Sequence, residues 1–241
     1  MSSDKSKVFQ EYNSPNRIYG SEDKCQRRTY DSVQGFVEKY VIPIANEDSA
    51  ILNVASATNS FGLPEKNMQH FDITSAKTSH FPRTDTGSRE CIQFSAQVYD
   101  IVVCTGSVLN YADPMEAFEE FSRVLRPEGF LVLEFENSNT LELLFTKNFN
   151  KKAVFVNASD PGKQPQWHYS DSWIDELLEL NKFEAVKKRK FNYSFSDQHQ
   201  FAEDENSARI FFELDPVIRF VPFARNFASN TIVLCQKKLA S

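Results

Sequence analysis

YDIVVCTGSVLNYADPMEAFEEFSRVLRPEGFLVLEFE, residues 99–136, decides the reading of this chain. Val98 to Cys104 is a short, nearly continuous apolar run, the pattern of a strand buried on both faces. Asp113-Pro114 then opens a helix. An aspartate accepts from the free N–H groups of a first turn, and a proline at the first helical position has no N–H to lose. Met115, Phe118, Phe121, Val124 and Leu125 recur along one helical face. Arg126-Pro127-Glu128-Gly129 ends that helix, and Phe130 to Phe135 makes the next buried strand. Two such strands bracketing one helix form a parallel βαβ unit.

The same pattern extends outward from this unit. Asp23 to Tyr40 carries Tyr30, Val33, Phe36, Val37 and Tyr40 at helical spacing, and Pro43 closes that helix. Ile51, Leu52 and Val54 make a short buried strand, and Met68 to Ile73 a second that ends at Asp72. Ser75 to Glu90 is polar and reads as an irregular connection. Downstream, Thr140 to Phe149 reads as helical, and residues 150–169 as a loop or hairpin finishing in Trp167-His168-Tyr169. Ser170 or Asp171 caps a helix over Trp173 to Leu180, and Phe183 to Phe191 and Asn230 to Gln236 are the last strands. Strands alternating with helices predict an α/β fold with a mainly parallel sheet. Residues 1–48 read as an N-terminal arm and helix, and residues 49–238 as the main domain.

Composition excludes several function classes. With 241 residues and 41% hydrophobic content the chain can bury a core without disulfide or metal staples. Net charge is −6 and the pI about 5.4, which speaks against nucleic acid as a partner. The basic cluster Lys187-Lys188-Arg189-Lys190 reads as a solvated strand edge protected by charge. Cys25, Cys91, Cys104 and Cys235 are scattered with no metal-ligand spacing, and Cys104 and Cys235 lie in apolar runs as buried thiols. These features, with a polar N-terminus and no run of about 20 apolar residues, lead to the expectation of a cytoplasmic protein without a membrane span or bound metal.

The motifs carry a family resemblance. YDIVVCTGSVLNYADP resembles the fourth strand and following loop of the class I S-adenosylmethionine-dependent methyltransferases (methyltransferase type 11-like), and EEFSRVLRPEGFLVLEF their next helix and strand. YSDSWIDELLELNKFEAV and NTIVLCQKK look like the closing helix and strands, so the resemblance spans residues 49–238. It implies a Rossmann-like, seven-stranded, mainly parallel sheet with helices on both faces and the ligand beyond the carboxyl ends of the strands. It also implies S-adenosylmethionine as cofactor, held by the loop after the first strand. There the family's glycines are replaced: ILNVASATN places Asn53, Ala55, Ser56, Ala57 and Asn59 at the motif positions. Alanine disfavours the positive φ that glycine tolerates by about 1 kcal/mol or more, and Asn53 offers no carboxylate. By the same resemblance Asp72 binds the ribose hydroxyls, Ile92 and Phe94 face the adenine, with Asp85 or Ser88 in place of the family's acid beside them, and Thr105, Gly106 and Ser107 line the pocket.

On the acceptor side the resemblance places Tyr111, where many relatives carry a histidine, and His168, a residue able to act as general base. Residues 137–170 and 192–226 read as cap or lid insertions shaping a pocket for a small or medium-sized acceptor. The apolar stretch ARIFFELDPVIRFVPFARNF is by default a core helix, with a lid or a homodimer surface as alternatives. Two functions compete. One is methyl transfer to an O, N or C nucleophile. The other is a catalytically inactive, methyltransferase-like binding or scaffold protein, favoured by the lost glycines and by Asn53. A nicotinamide dehydrogenase would need GxGxxG after the first strand, which the sequence lacks.

Overall fold

In the computed structural model, which describes residues 24–54, 59–72, 84–86, 95–156, 166–193 and 226–239, apolar side chains alternate between two faces of one sheet. Its strands are β1 (Ile51–Val54), β2 (Met68–Asp72), β3 (Thr84–Thr86), β4 (Tyr99–Cys104), β5 (Leu125–Glu136), β8 (Phe183–Phe191) and β9 (Asn230–Lys237). Among the described residues they form a seven-stranded sheet in the order β3-β2-β1-β4-β5-β9-β8. All neighbouring pairs are parallel except β5–β9 and β8–β9, so β9 alone runs against the rest. β6 (Ala153–Val156) and β7 (Gln166–Tyr169) form a separate antiparallel pair inserted after β5.

Period-2 alternation sends Ile51, Ile101, Val103, Val132, Ile232 and Leu234 to one face, where they pack with Val33, Phe36 and Val37 of α1 (Lys24–Tyr40). Leu52, Val54, Val102, Cys104, Leu131, Leu133, Val233 and Cys235 go to the other. That face is covered by Phe118, Phe121 and Val124 of α2 (Pro114–Val124) and by Ile174, Leu177 and Leu178 of α3 (Asp171–Leu180). A strand buried on both sides has no polar face, hence its continuous apolar run.

The helix starts follow from their caps. Asp113 Oδ1 accepts from the Met115 N–H at 2.9 Å, with Pro114 at the first helical position. Ser170, rather than Asp171, caps α3: its Oγ accepts from the Trp173 N–H at 3.3 Å. Met115 is 46% exposed and does not join the apolar face assigned to it.

Three other expectations are corrected. Thr140 to Phe149 is not a helix but a 3-10 turn (Leu141–Leu143) followed by further turns. The connection after β2 is not wholly irregular, because it contributes β3 at one sheet edge. β5 begins at Leu125, which pairs with Tyr99, and the ladder resumes at Phe130 opposite Ile101. Arg126 to Gly129 is therefore an excursion within the strand, with Glu128 left-handed at φ 64°. Gly129 is closely approached there: a Cβ would stand 3.0 Å from the Arg126 carbonyl and 3.1 Å from that of Asp100. At the other edge, β8 exposes Lys187 and Arg189, and Lys188 and Lys190 reach the carboxylates of Asp175 and Asp171.

Candidate active site

Three parallel strands end level with one another. Val54 of β1 is paired with Phe71 of β2 and with Cys104 of β4. The chain therefore leaves β1 after Val54, reaches Asp72 at the end of β2, and enters Thr105-Gly106-Ser107 after β4, all at one rim of the sheet. The carboxyl ends of β1 and β4 lie there, the position at which open parallel sheets bind ligands.

The rim after β1 is organised by two asparagines. Asn53, 1% exposed, donates from Nδ2 to the Asn59 carbonyl at 2.7 Å. Asn59 Oδ1 in turn accepts from the Phe61 N–H at 2.8 Å, which supports the left-handed backbone at Phe61 (φ 52°) and Gly62 (φ 75°). Asn53 Oδ1 is buried and has no partner among the described residues. Of the other motif positions, Ala55, Ser56 and Ala57 lie outside the described residues, as do Ile92, Phe94 and Ser88. Asp72 and Asp85 are described by their strand positions.

The rim after β4 is a tight turn. Thr105 is buried, Gly106 (φ 80°) and Ser107 (φ 57°) are both left-handed, and a 3-10 turn over Val108–Tyr111 follows. Glu134 of β5 holds this turn: its Oε2 accepts from the Ser107 N–H at 2.6 Å, and its other oxygen from Asn230 Nδ2 at 2.8 Å. Burial pushes the Glu134 carboxyl up to about 7, against the pull of the Ser107 and Gly106 N–H groups and of Asn230, while the nearby Glu136 charge adds to the rise.

Glu136, two residues on and on the same face, links this turn to the β6–β7 pair. Its Oε1 accepts from Ser107 Oγ at 3.1 Å and its Oε2 from Gln166 Nε2 at 2.6 Å. His168 is 2% exposed, with Nδ1 3.1 Å from the Asn137 carbonyl. A carbonyl only accepts, so Nδ1 carries the proton. Its Nε2 lies 3.2 Å from both Gln166 Nε2 and Glu136 Oε2. An imidazolium would make that last contact an ion pair, yet burial holds the ring neutral, with its pKa down to about 4 despite the Asn137 carbonyl. The Gln166 amide has one hydrogen for each of these two acceptors. Asn110 closes the network, donating to the Trp167 and Glu136 carbonyls and accepting from the Glu136 N–H at 3.0 Å.

The structure thus brings Ser107 and His168 together through Glu136, and places Tyr111, half-buried, one residue from Asn110. Both ring nitrogens of His168 are engaged, so the geometry suits it to orienting the β6–β7 pair rather than to taking a proton from an acceptor. The residues that sequence reasoning passed over are Glu134, Glu136, Asn110, Gln166 and Asn230. The signal was present for two of them: Glu134 and Glu136 are spaced by two in an otherwise apolar strand, hence share a face at its carboxyl end.

A methyltransferase domain family matches residues 64–133. No curated protein matches the chain. Among solved structures, a SAM-dependent methyltransferase from Methanosarcina mazei aligns at TM-score 0.54 and 16% identity, covering 85% of this chain and 98% of that one. A 1,6-didemethyltoxoflavin-N1-methyltransferase of Burkholderia thailandensis, solved with its substrate and S-adenosylhomocysteine, aligns at TM-score 0.59 and 10% identity over 97% and 87%. The [4+2]-cyclase SpnF aligns at TM-score 0.56 and 13% identity over 98% and 93%. Identities this low establish a shared fold.

Proposed function

We propose, from its fold and from the methyltransferase domain match over residues 64–133, that this chain is a class I, S-adenosylmethionine-dependent methyltransferase acting on a small or medium-sized acceptor. One observation carries the proposal: the level rim formed where β1, β2 and β4 end together, with Asn53, Asp72 and Thr105 to Ser107 along it. The cofactor fits this rim in chemistry. Asn53 Oδ1 is a buried acceptor without a partner among the described residues, ready for a ligand donor. Asp72 offers a carboxylate of the kind that takes two ribose hydroxyls. When bound, S-adenosylmethionine supplies an activated methyl group on a positively charged sulfur.

The chain's own residues bind, orient and exclude water. In this reading Ala55, Ser56 and Ala57 let the backbone approach the methionyl portion, Ile92 and Phe94 cover the adenine, and Thr105, Gly106 and Ser107 form the floor. Tyr111 stands on the acceptor side with a hydroxyl able to hold a nucleophile, while His168 fixes the β6–β7 pair that walls the same side. The acidic cluster around Glu134 and Glu136 adds negative potential near a cationic ligand.

A second reading is a protein that binds the cofactor or a partner without methyl transfer. Asn53 favours it, because an amide already spent on the Asn59 carbonyl replaces the family's carboxylate. Calorimetric titration with S-adenosylhomocysteine separates the readings. Saturable binding, weakened about 10- to 100-fold by Asp72→Ala as expected for lost charged hydrogen bonds, supports the cofactor site. Binding of S-adenosylmethionine with no methyl transferred to any of a broad acceptor panel would support the second reading. Absence of binding at millimolar ligand sinks the first.

A further inference from the structure

We propose that Glu134 is a positioning residue for the turn after β4: its carboxylate fixes the left-handed backbone of Gly106 and Ser107 on which ligand binding at this rim depends. The inference rests on the reading that this turn lines the S-adenosylmethionine pocket.

Gly106 and Ser107 are successive left-handed residues, and the N–H groups of both bear on one carboxylate. That carboxylate is Glu134, delivered by the adjacent strand β5, and the Ser107 N–H reaches its Oε2 at 2.6 Å. Ser107 bears a Cβ and disfavours this conformation by about 1–2 kcal/mol, so the carboxylate offsets a real conformational cost. The opposite carboxylate oxygen is locked from elsewhere in the fold. Asn230 donates to it at 2.8 Å, Asn192 Nδ2 donates to Asn230 Oδ1 at 2.9 Å, and the same Asn192 amide donates to Thr29 of α1 at 2.8 Å. A hydrogen-bonded chain thus runs from α1 across β9 and β5 to the turn.

The Ser107 N–H and the Asn230 amide both donate to the carboxylate, so protonation would place an O–H against N–H groups and release the turn. Burial brings that event to about pH 7. Among the described residues the titratable groups facing Glu134 are Glu136 on β5, which raises it, and beyond that His168 on β7, neutral down to about pH 4.

The test is S-adenosylhomocysteine affinity between pH 5.5 and 8.5 for the unaltered protein, Glu134→Gln and Asn230→Ala, with circular dichroism to check folding. Expected are binding by the unaltered protein that weakens as pH falls through about 7, and Glu134→Gln binding about tenfold more weakly with a flat profile. Asn230→Ala keeps the carboxylate but removes one donor, so its midpoint moves up by about one pH unit. A folded Glu134→Gln with unchanged affinity and pH profile overturns the proposal while leaving the cofactor reading intact. If Glu134→Gln does not fold, an unmoved midpoint in Asn230→Ala overturns it. A folded, unaltered protein that never binds removes the cofactor reading and this proposal with it.

Discussion

Asn53 Nδ2 donates to the Asn59 carbonyl at 2.7 Å, tying a buried polar side chain of β1 to the backbone six positions on. A carboxylate at this position would need donors, and here it would face a carbonyl.

Asn53→Asp tests that contact. It replaces a donor by an acceptor against the Asn59 carbonyl and puts a charge where exposure is 1%. The ligand-free variant should lose about 2–3 kcal/mol of stability, read as a lower urea midpoint at unchanged slope. A midpoint equal to that of the unaltered protein contradicts the role of the pair.

Gly129→Ala should destabilise by about 1–3 kcal/mol. The added Cβ meets two backbone carbonyls and Leu125 Cδ2 at 3.0 to 3.1 Å, and backbone cannot step aside as a flexible side chain does. Thermal unfolding reads the effect, and an unchanged Tm refutes the close approach.

Asn110→Ala removes three hydrogen bonds at once and strands the Glu136 N–H and the Trp167 carbonyl. A loss of about 2–4 kcal/mol is expected. Faster hydrogen exchange should appear at Gln166 to Tyr169, because Asn110 ties β7 to β5. Exchange left as it was would show that other contacts hold the hairpin.

Glu134 and His168 should tilt stability against pH in opposite senses. For Glu134 the folded value, about 7, lies above the usual 4.5, so its stabilising share is present below pH 4.5 and is lost as pH rises through 7. For His168 the folded value, about 4, lies below 6.5, so its share is present above pH 6.5 and is lost as pH falls through 4. Between pH 4.5 and 6.5 the two oppose one another. The stability of Glu134→Gln minus that of the unaltered protein should climb by roughly 3 kcal/mol from pH 4.5 to 7. For His168→Asn the same difference should fall by roughly 3 kcal/mol from pH 4 to 6.5. Chemical unfolding across that range provides both curves, and two flat differences would contradict the burial of these groups.

Much of the fold was legible in residues 99–136. Apolar runs and the Asp113-Pro114 start are local signals, and each produced the element it announced, whereas Arg126 to Gly129, read as the end of the helix, lies within β5. The segment over Thr140 to Phe149 misled because its apolar residues mimic helical spacing, whereas the Ser138 carbonyl accepts from the Asn150 N–H and folds the segment into turns. Of the site, the family resemblance pointed to Asn53, Asp72 and Thr105 to Ser107, and the apolar runs marked the strand ends at which they stand.

The sequence by itself determined the alternation of strand and helix, and with it which residues stand at the rim, because hydrophobic periodicity is written residue by residue. Only the tertiary structure decided what holds the rim. Ser107 meets Glu134 across 27 positions, Asn230 meets Glu134 across 96, and Asn192 meets Thr29 across 163. Such contacts are set by strand order and register, which bring distant side chains to one end of one sheet. The role of His168 was decided there too. Its chemistry is fixed by its ring, but its protonation and partners are fixed by burial against Glu136, Gln166 and Asn137.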